Sequence, residues 1–352
     1  VGLAGPREGY ALQKTTRVAV WGLGAMGGGI CRAILDKPGL ELVAAVDTHP
    51  EKVGRDVAEV VDLGGRTGVV VWRNAGEALA SGRPDVVILA TASFVSEVLG
   101  DVLTAIESGA HVVSIAEEMA DAYAQHAGLA ERMHQAALSR GVCVLGTGIN
   151  PGFVLDLLII CLSGVCIHVD KVVARRVNDL SPFGPTVMRT QGVGLHPEEF
   201  QAGLARGTIV GHVGFPESIS LIARALGWRL DRVEQRKEPI ISTVRRQTRY
   251  VTVEPGQVAG CSHTASGYAG EEELIRLEHP QQVLPELAGV ATGDYINVEG
   301  TPGIAMSIRP EIPGGLGTIA MAVNAVPLVM AAKPGLLTMI DLPLPRAIPG
   351  KR

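Results

Sequence analysis

From Arg17 the chain alternates short runs that are apolar at nearly every position with longer stretches where apolar residues recur at helical spacing. The runs RVAVWG, ELVAAVD, GVVVW, PDVVILAT, HVVSIAE and VCVLGTG begin at positions 17, 41, 68, 84, 111 and 142. Strands without a polar face belong to a parallel sheet covered by helices on both sides. The covering helices are expected over residues 25–35, 94–108 and 120–139, the last alanine-rich with its charges on one side. Strict alternation of strand and helix predicts a Rossmann-type, doubly wound α/β domain over residues 17–150.

Past Asn150-Pro151-Gly152 the alternation stops, and from about Lys171 helices and strands come in blocks. Residues 215–226 read as a helix closed by Gly227, and residues 248–253, 258–268 and 272–278 as antiparallel strands joined by turns. This pattern predicts an α+β substrate domain over 151–314. A late apolar run, 317–332, reads as one more helix. Residues 315–352 are expected to pack back on the nucleotide domain. Residues 1–16 mix Gly, Pro, Arg, Glu and Thr, lack the apolar core of a signal peptide, and read as a loose tail. No internal repeat is visible.

A length of 352 residues suits two domains, and 47% hydrophobic residues supply an ample core. With 19% charged residues and a net charge of -5 there is no electrostatic reason to expect nucleic acid. The apolar runs 153–169 and 319–332 are interrupted by Asp156, and by Asn324 and Pro327. Spanning a bilayer takes about 20 apolar residues, so no membrane association is expected. Five cysteines, Cys31, Cys143, Cys161, Cys166 and Cys261, form no CxxC pair. That suits reduced thiols in a cytoplasmic protein, and neither cysteine nor histidine spacing argues for a metal.

Gly22-Leu23-Gly24-Ala25-Met26-Gly27 is a GxGxxG set between a strand and a helix. The first glycine allows the tight turn, the second lets backbone approach a pyrophosphate, and the third lets helix and strand pack closely. Twenty residues on, Asp47 closes the second strand, where a carboxylate accepts hydrogen bonds from the adenosine ribose and repels a 2'-phosphate. NAD is therefore expected, with NADP possible if Lys52 or Arg55 bends round to soften the repulsion. A helix N-cap is the plainer role for Asp47. Thr91, Ala92 and Ser93 end the fourth strand and are expected beside the nicotinamide ribose, a place compatible with capping the next helix. Asn150, leaving the sixth strand, is counted with the cofactor residues.

The fifth strand ends in Glu117-Glu118-Met119, two adjacent carboxylates near the expected nicotinamide site. Their plain role is to start the next helix, where negative charge is favoured. The wider sequence changes that picture. SIAEEM, GTGINPGFVLDLL, ARRVNDLSPFGPTVM, QGVGL, GHVGFPESI, ALGW, EHPQQ, TGDYI, GTP, PGGLGTIAMAVN, AKPGL and DLPLPRAI together resemble the 2,4-diaminopentanoate dehydrogenase family, from about Thr16 to the C-terminus. Related native amine dehydrogenases act on simpler amines and ketones.

The resemblance implies NAD(P)-dependent oxidative deamination of the C4 amine of 2,4-diaminopentanoate. The products are 2-amino-4-oxopentanoate, ammonia and NAD(P)H, and the reverse reaction is reductive amination of a ketone. It places the family's essential glutamate on Glu117, with Glu118 as the other bearer, and the substrate lining on Phe153, Asn178, Phe183 and His279. A glutamate suits this chemistry, because the ammonium must lose a proton before it releases hydride and the iminium must then be attacked by water. One carboxylate serves as base in both steps, and its charge stabilises the cation between them. Arg175, Arg176 and Asn178 end a strand, and Arg176 is a candidate to hold the substrate carboxylate bidentately. Ion pairing is the commoner use of arginine, as packing is of an isolated histidine such as His212. A cytoplasmic homodimer is expected.

Sugar and inositol dehydrogenases look similar over the nucleotide half but carry Glu-Lys-Pro where this chain has Glu117-Glu118-Met119. Dihydrodipicolinate reductase is similar in layout, and the paired histidines and lysine of its substrate loop are missing here. An amine dehydrogenase for amines without a carboxylate is one alternative, and a non-catalytic NAD(H)-binding redox sensor, which needs no pocket glutamate, is another.

Overall fold

The structure, a computed structural model, describes residues 15–350. The tail expected over 1–16 lies outside them except for Thr15 and Thr16, and Thr16 already belongs to the first strand. The chain divides into two compact units, one made of the residues up to Gly152 together with those from Gly314, the other of Phe153–Pro313.

The first unit is built on seven strands: β1 Thr16–Trp21, β2 Leu40–Val46, β3 Val71–Trp72, β4 Val86–Leu89, β5 His111–Ser114, β6 Cys143–Gly146 and, late in the chain, β15 Gly335–Leu337. Their order is β15-β6-β5-β4-β1-β2-β3, with every neighbouring pair parallel. Between the strands lie α1 Ala25–Asp36, α2 Val57–Val60, α3 Ala75–Gly82, α4 Val95–Glu107 and α5 Tyr123–Arg140. β4 and β6 are buried at all four positions, which is why their sequences show no polar face. This is the Rossmann arrangement, in which the strand order reverses between β1 and β4 and ligands bind at the carboxyl ends beside that point.

The expected single helix over 317–332 is two, α10 Gly314–Asn324 and α11 Val326–Ala331, with Pro327 in the first turn of α11. Proline has no N–H to extend the first helix, and its fixed φ suits the start of a second. α10 lies against α1 at Gly29, where a Cβ would stand 2.2 Å from Ile319 Cδ1. Met321, Ala322 and Val323 of α10 and Val326, Leu328 and Val329 of α11 are buried, so part of the apolar stretch is core.

The second unit holds β7 His168–Asp179, β8 Arg232–Ile241, β9 Arg246–Gln247, β10 Thr252–Val253, β11 Val258–Ala269, β12 Glu272–Gln282, β13 Gly293–Thr301 and β14 Ile304–Ile308. Its helices are α6 Leu157–Ser163, α7 Pro185–Thr190, α8 Pro197–Ala205 and α9 Phe215–Leu226. The sheet runs β14-β13-β7-β12-β11-β8 and is mixed, because β12 lies parallel to β7. The strands expected at 258–268 and 272–278 do pair antiparallel, as β11 and β12. The single strand expected at 248–253 is corrected. The Thr248 hydroxyl accepts the Tyr250 and Val251 amides, and the resulting turn folds β9 back on β10. α9 ends at Gly227, φ +70°, and buries Phe215, Ile219 and Ile222.

Candidate active site

β1 delivers the chain to Gly22, whose φ of +92° is open to glycine and whose missing Cβ would stand 2.4 Å from the Ala90 carbonyl oxygen. At Gly27 a Cβ would overlap the Gly22 carbonyl, at 1.7 Å, so helix and turn touch there. Gly24, the N-cap of α1, has no heavy atom within 4 Å of the corresponding position. No acidic residue stands in the first turn of α1. An exposed helix N-terminus with open space before it is a ready anion site, and the residues present fit the pyrophosphate of a dinucleotide. Leu23 is buried beneath the loop, Ala25 is exposed and Met26 is half-buried.

Asp47 follows β2 and braces this loop: Oδ2 accepts the Leu23 amide at 2.8 Å, and Oδ1 accepts the His49 amide at 2.8 Å. Lys52 Nζ reaches Oδ2 at 2.8 Å and the Leu23 carbonyl at 2.9 Å. Burial alone would raise the Asp47 pKa, but the Lys52 ammonium and the two amides outweigh it and hold the carboxyl below its usual range. The N-cap of the following helix is Asp56, not Asp47.

At the end of β4 the Thr91 hydroxyl donates to Asp101 Oδ2 at 2.9 Å, Ala92 packs on the apolar core, and the Ser93 carbonyl accepts the Glu118 amide at 3.2 Å. β5 leads into a 3-10 turn, Glu117–Asp121. That turn lies directly on β6, where a Cβ on Gly146 would fall 1.9 Å from the Met119 carbonyl oxygen.

The two adjacent carboxylates have different surroundings. Glu118 is buried, and its Oε2 accepts the Val95 amide at 2.7 Å and lies 2.9 Å from His126 Nε2. Glu117 is half-buried and is hydrogen-bonded to the Ser93 side chain. Burial pushes its carboxyl up to about 7, against hydrogen bonds that lower it, with a further upward contribution from the Glu118 charge. Asn150 leaves β6 through a cis peptide to Pro151. Gly22, Asp47, Thr91, Glu117 and Asn150 thus follow the carboxyl ends of β1, β2, β4, β5 and β6.

In the second unit Arg176 does bind a carboxylate, but it is the protein's own. Its guanidinium lies 2.6 Å from Asp294 Oδ1 and also donates to the Ile312 carbonyl, with both side chains buried. Arg176, expected to hold a substrate carboxylate, is thus already engaged by Asp294 and the Ile312 carbonyl. Two residues along β7, Asn178 Oδ1 accepts from His279 Nε2 at 2.9 Å. Around them lie two histidines that sequence reading left outside the site. His212 meets His279 and Phe215 edge-on at 4.7 Å, and His263 Nδ1 accepts the His212 amide at 3.0 Å. Burial, then the neighbouring histidine and Arg176 charges, hold His212 and His279 well below their ordinary pKa, and burial with the Lys237 charge takes His263 down to about 3. All three imidazoles are neutral at pH 7. The signal was available in part, since strand alternation puts His263 opposite His279 across β11 and β12. Phe183 packs with Leu180, Met188 and Val253, a separate apolar cluster, and Phe153 opens the turn before α6.

Residues 153–352 match the 2,4-diaminopentanoate dehydrogenase C-terminal domain, and residues 16–116 match the dihydrodipicolinate reductase N-terminus. The 2,4-diaminopentanoate dehydrogenase of Acetoanaerobium sticklandii is 45% identical over 96% of each chain. The chain belongs to the 2,4-diaminopentanoate dehydrogenase family. An amine dehydrogenase of Streptomyces virginiae is 28% identical over 94% of this chain and 96% of its own. The amine dehydrogenase structure from Mycobacterium smegmatis superposes with a TM-score of 0.85 at 26% identity, covering 95% of this chain and 98% of that one. This member of the family is therefore an oxidoreductase with a Rossmann-type NAD(P)-binding domain.

Proposed function

We propose that the protein catalyses NAD(P)-dependent oxidative deamination of the C4 amine of 2,4-diaminopentanoate to 2-amino-4-oxopentanoate and ammonia, and runs in reverse as reductive amination. The observation that carries the reading is Glu117, a half-buried carboxyl at the end of β5 with a pKa pushed up to about 7. An alkylammonium gives up its proton near pH 10, so a base at 7 instead of 4.5 makes the transfer easier by roughly 2.5 units. Bound nicotinamide supplies the hydride acceptor. Glu117 takes the ammonium proton and releases it to solvent, and the free amine then gives up its hydride. The re-ionised carboxylate stabilises the resulting iminium and removes a proton from the water that attacks the same carbon. It hands that proton to the carbinolamine nitrogen while the hydroxyl loses its own as the carbonyl forms. Ammonia leaves with the electron pair of the broken C–N bond.

Asp47 beside the Gly22 loop supports a preference for NAD, and Lys52 on its carboxylate supports use of NADP as well. Phe153, Asn178, Phe183 and His279 are the proposed substrate contacts, with the Asn178–His279 pair for its polar end. The five cysteines are all thiols, in keeping with a cytoplasmic enzyme, and the working form is proposed to be a homodimer. Amines without a carboxylate are a second substrate class, favoured by the engagement of Arg176 with Asp294. A redox sensor has no use for a carboxyl poised near neutral pH.

The test is NAD reduction with 2,4-diaminopentanoate beside 2-aminopentane and other carboxylate-free amines. Turnover of the diamine acid at the higher kcat/KM is the expected result. Tight NADH binding without turnover of any amine would sink the proposal in favour of a sensor.

A further inference from the structure

Three groups converge on Glu118, from the exit of β4, the start of α4 and the kink in α5. Its backbone amide donates to the Ser93 carbonyl at 3.2 Å, which ties the 3-10 turn to the exit of β4. Its Oε2 accepts the Val95 amide at 2.7 Å, the first N–H of α4. That helix has no cap of its own, since the N-cap residue Phe94 offers no side-chain acceptor. A carboxylate from another element satisfies this otherwise unpaired first amide and meets the positive end of the helix dipole. The same oxygen lies 2.9 Å from His126 Nε2. His126 sits where α5 departs from helical backbone, at φ -130° and ψ 47°. Glu117, the adjacent residue, bonds to Ser93 through its side chain.

We propose that His126 and Glu118 form a positioning pair that holds the turn carrying Glu117 against the start of α4 and so fixes the direction of the Glu117 carboxyl. The proposal rests on Glu117 being the base. A carboxylate as buried as Glu118 needs donors on its oxygens, and breaking such a set leaves a charge that either moves toward water or takes up a proton. Either response displaces the 3-10 turn. Glu118 is the charged group that acts on Glu117; Asp121 shares its turn, and His126 of α5 faces Glu118.

The measurement compares kcat, the KM for NAD, the pH profile of amine oxidation and the melting temperature in His126→Leu, His126→Gln, Glu118→Gln and Glu117→Gln. Loss of one hydrogen bond to a charged group predicts a fall in kcat of about tenfold for His126→Leu. The KM for NAD should stay within about twofold, because the phosphate loop is untouched. His126→Gln keeps an N–H near the imidazole Nε2 position and should restore most of the rate. Glu118→Gln keeps the acceptor and removes the charge, which should move the acid limb of the profile to lower pH. Wild-type kcat in both His126 variants, with only the melting temperature lowered, would overturn the proposal. If His126→Leu does not fold, an unmoved acid limb in Glu118→Gln overturns it instead. Glu117→Gln separates the two readings. Retained turnover there removes the base assignment and this proposal together, whereas lost turnover beside wild-type His126 variants removes the positioning pair alone.

Discussion

Lys52 Nζ lies 2.8 Å from Asp47 Oδ2, so the carboxylate expected to exclude a 2'-phosphate carries its own counter-charge. Two partly exposed charges at this distance attract by a few kcal/mol at most, and solvent and salt reduce that further. Lys52→Met should raise the KM for NADP by about five- to tenfold with little change for NAD. Asp47→Ala should lower the KM for NADP by removing a repulsion without touching the chemistry. The NAD/NADP ratio of kcat/KM measures both. An unchanged ratio in Lys52→Met would mean the lysine does not reach the 2' position.

The pKa of Glu117, pushed up to about 7, carries a signed consequence for rate and for stability. Amine oxidation needs the ionised base, so kcat should rise through about pH 7 to a plateau. Ionising a desolvated carboxyl costs folding free energy. The folded protein is therefore most favoured below the ordinary carboxyl pKa of 4.5, and that advantage is lost as pH rises through 7. Glu117→Gln removes the cost. It should melt higher than wild type at pH 8, by roughly 1–3 kcal/mol in stability, and show almost no gain at pH 4. Equal gains at both pH values would show that the carboxyl titrates normally.

Much of this was legible from residue order alone, for a physical reason. Strands buried on both faces show as unbroken apolar runs, and the glycines at 22 and 27 stand where any side chain would strike backbone. What escaped depends on contacts between residues far apart in the chain. No local pattern distinguishes Glu117 from Glu118; the Val95 amide, 23 residues away, does. Arg176 looks free in sequence because Asp294 lies 118 residues on, and the parallel β12–β7 pair leaves no local signal because β7 comes so much earlier. Thr248 was misread at short range, since a β-branched residue favours strands while its hydroxyl favours turns.

Gly146 should be a site where one methyl group disables catalysis without touching a catalytic residue. A Cβ there would meet the Met119 carbonyl oxygen at 1.9 Å and the Ala120 amide nitrogen at 2.6 Å, and both are backbone. The 3-10 turn must move, and Glu117 moves with it. Gly146→Ala should lower kcat at least tenfold and stability by about 1–3 kcal/mol, with NADH binding retained. Fluorescence titration of NADH beside steady-state rates checks this. Normal kcat would mean the turn tolerates displacement and that the orientation of Glu117 matters little.

The last prediction concerns the role of Arg176, and two substitutions at Asp294 decide it. Asp294 accepts from Arg176 and from the Ile312 amide, the latter at 2.9 Å, within a region both side chains share with almost no solvent. Burial raises its pKa, and the Arg176 charge only partly offsets this. Desolvation therefore consumes much of what the pair gains by attraction, as buried ion pairs commonly do. Removing one partner is a different matter, because the other charge is left without compensation. Asp294→Ala should cost about 3–5 kcal/mol, whereas the double replacement Arg176→Met with Asp294→Leu should recover most of it. If Arg176 instead served the substrate, Asp294→Asn would release its guanidinium and lower the KM for a carboxylate-bearing amine relative to 2-aminopentane. The structure leads to the opposite expectation, a loss of stability with no selective gain for the carboxylate. A selective fall in KM in Asp294→Asn would return Arg176 to the substrate site.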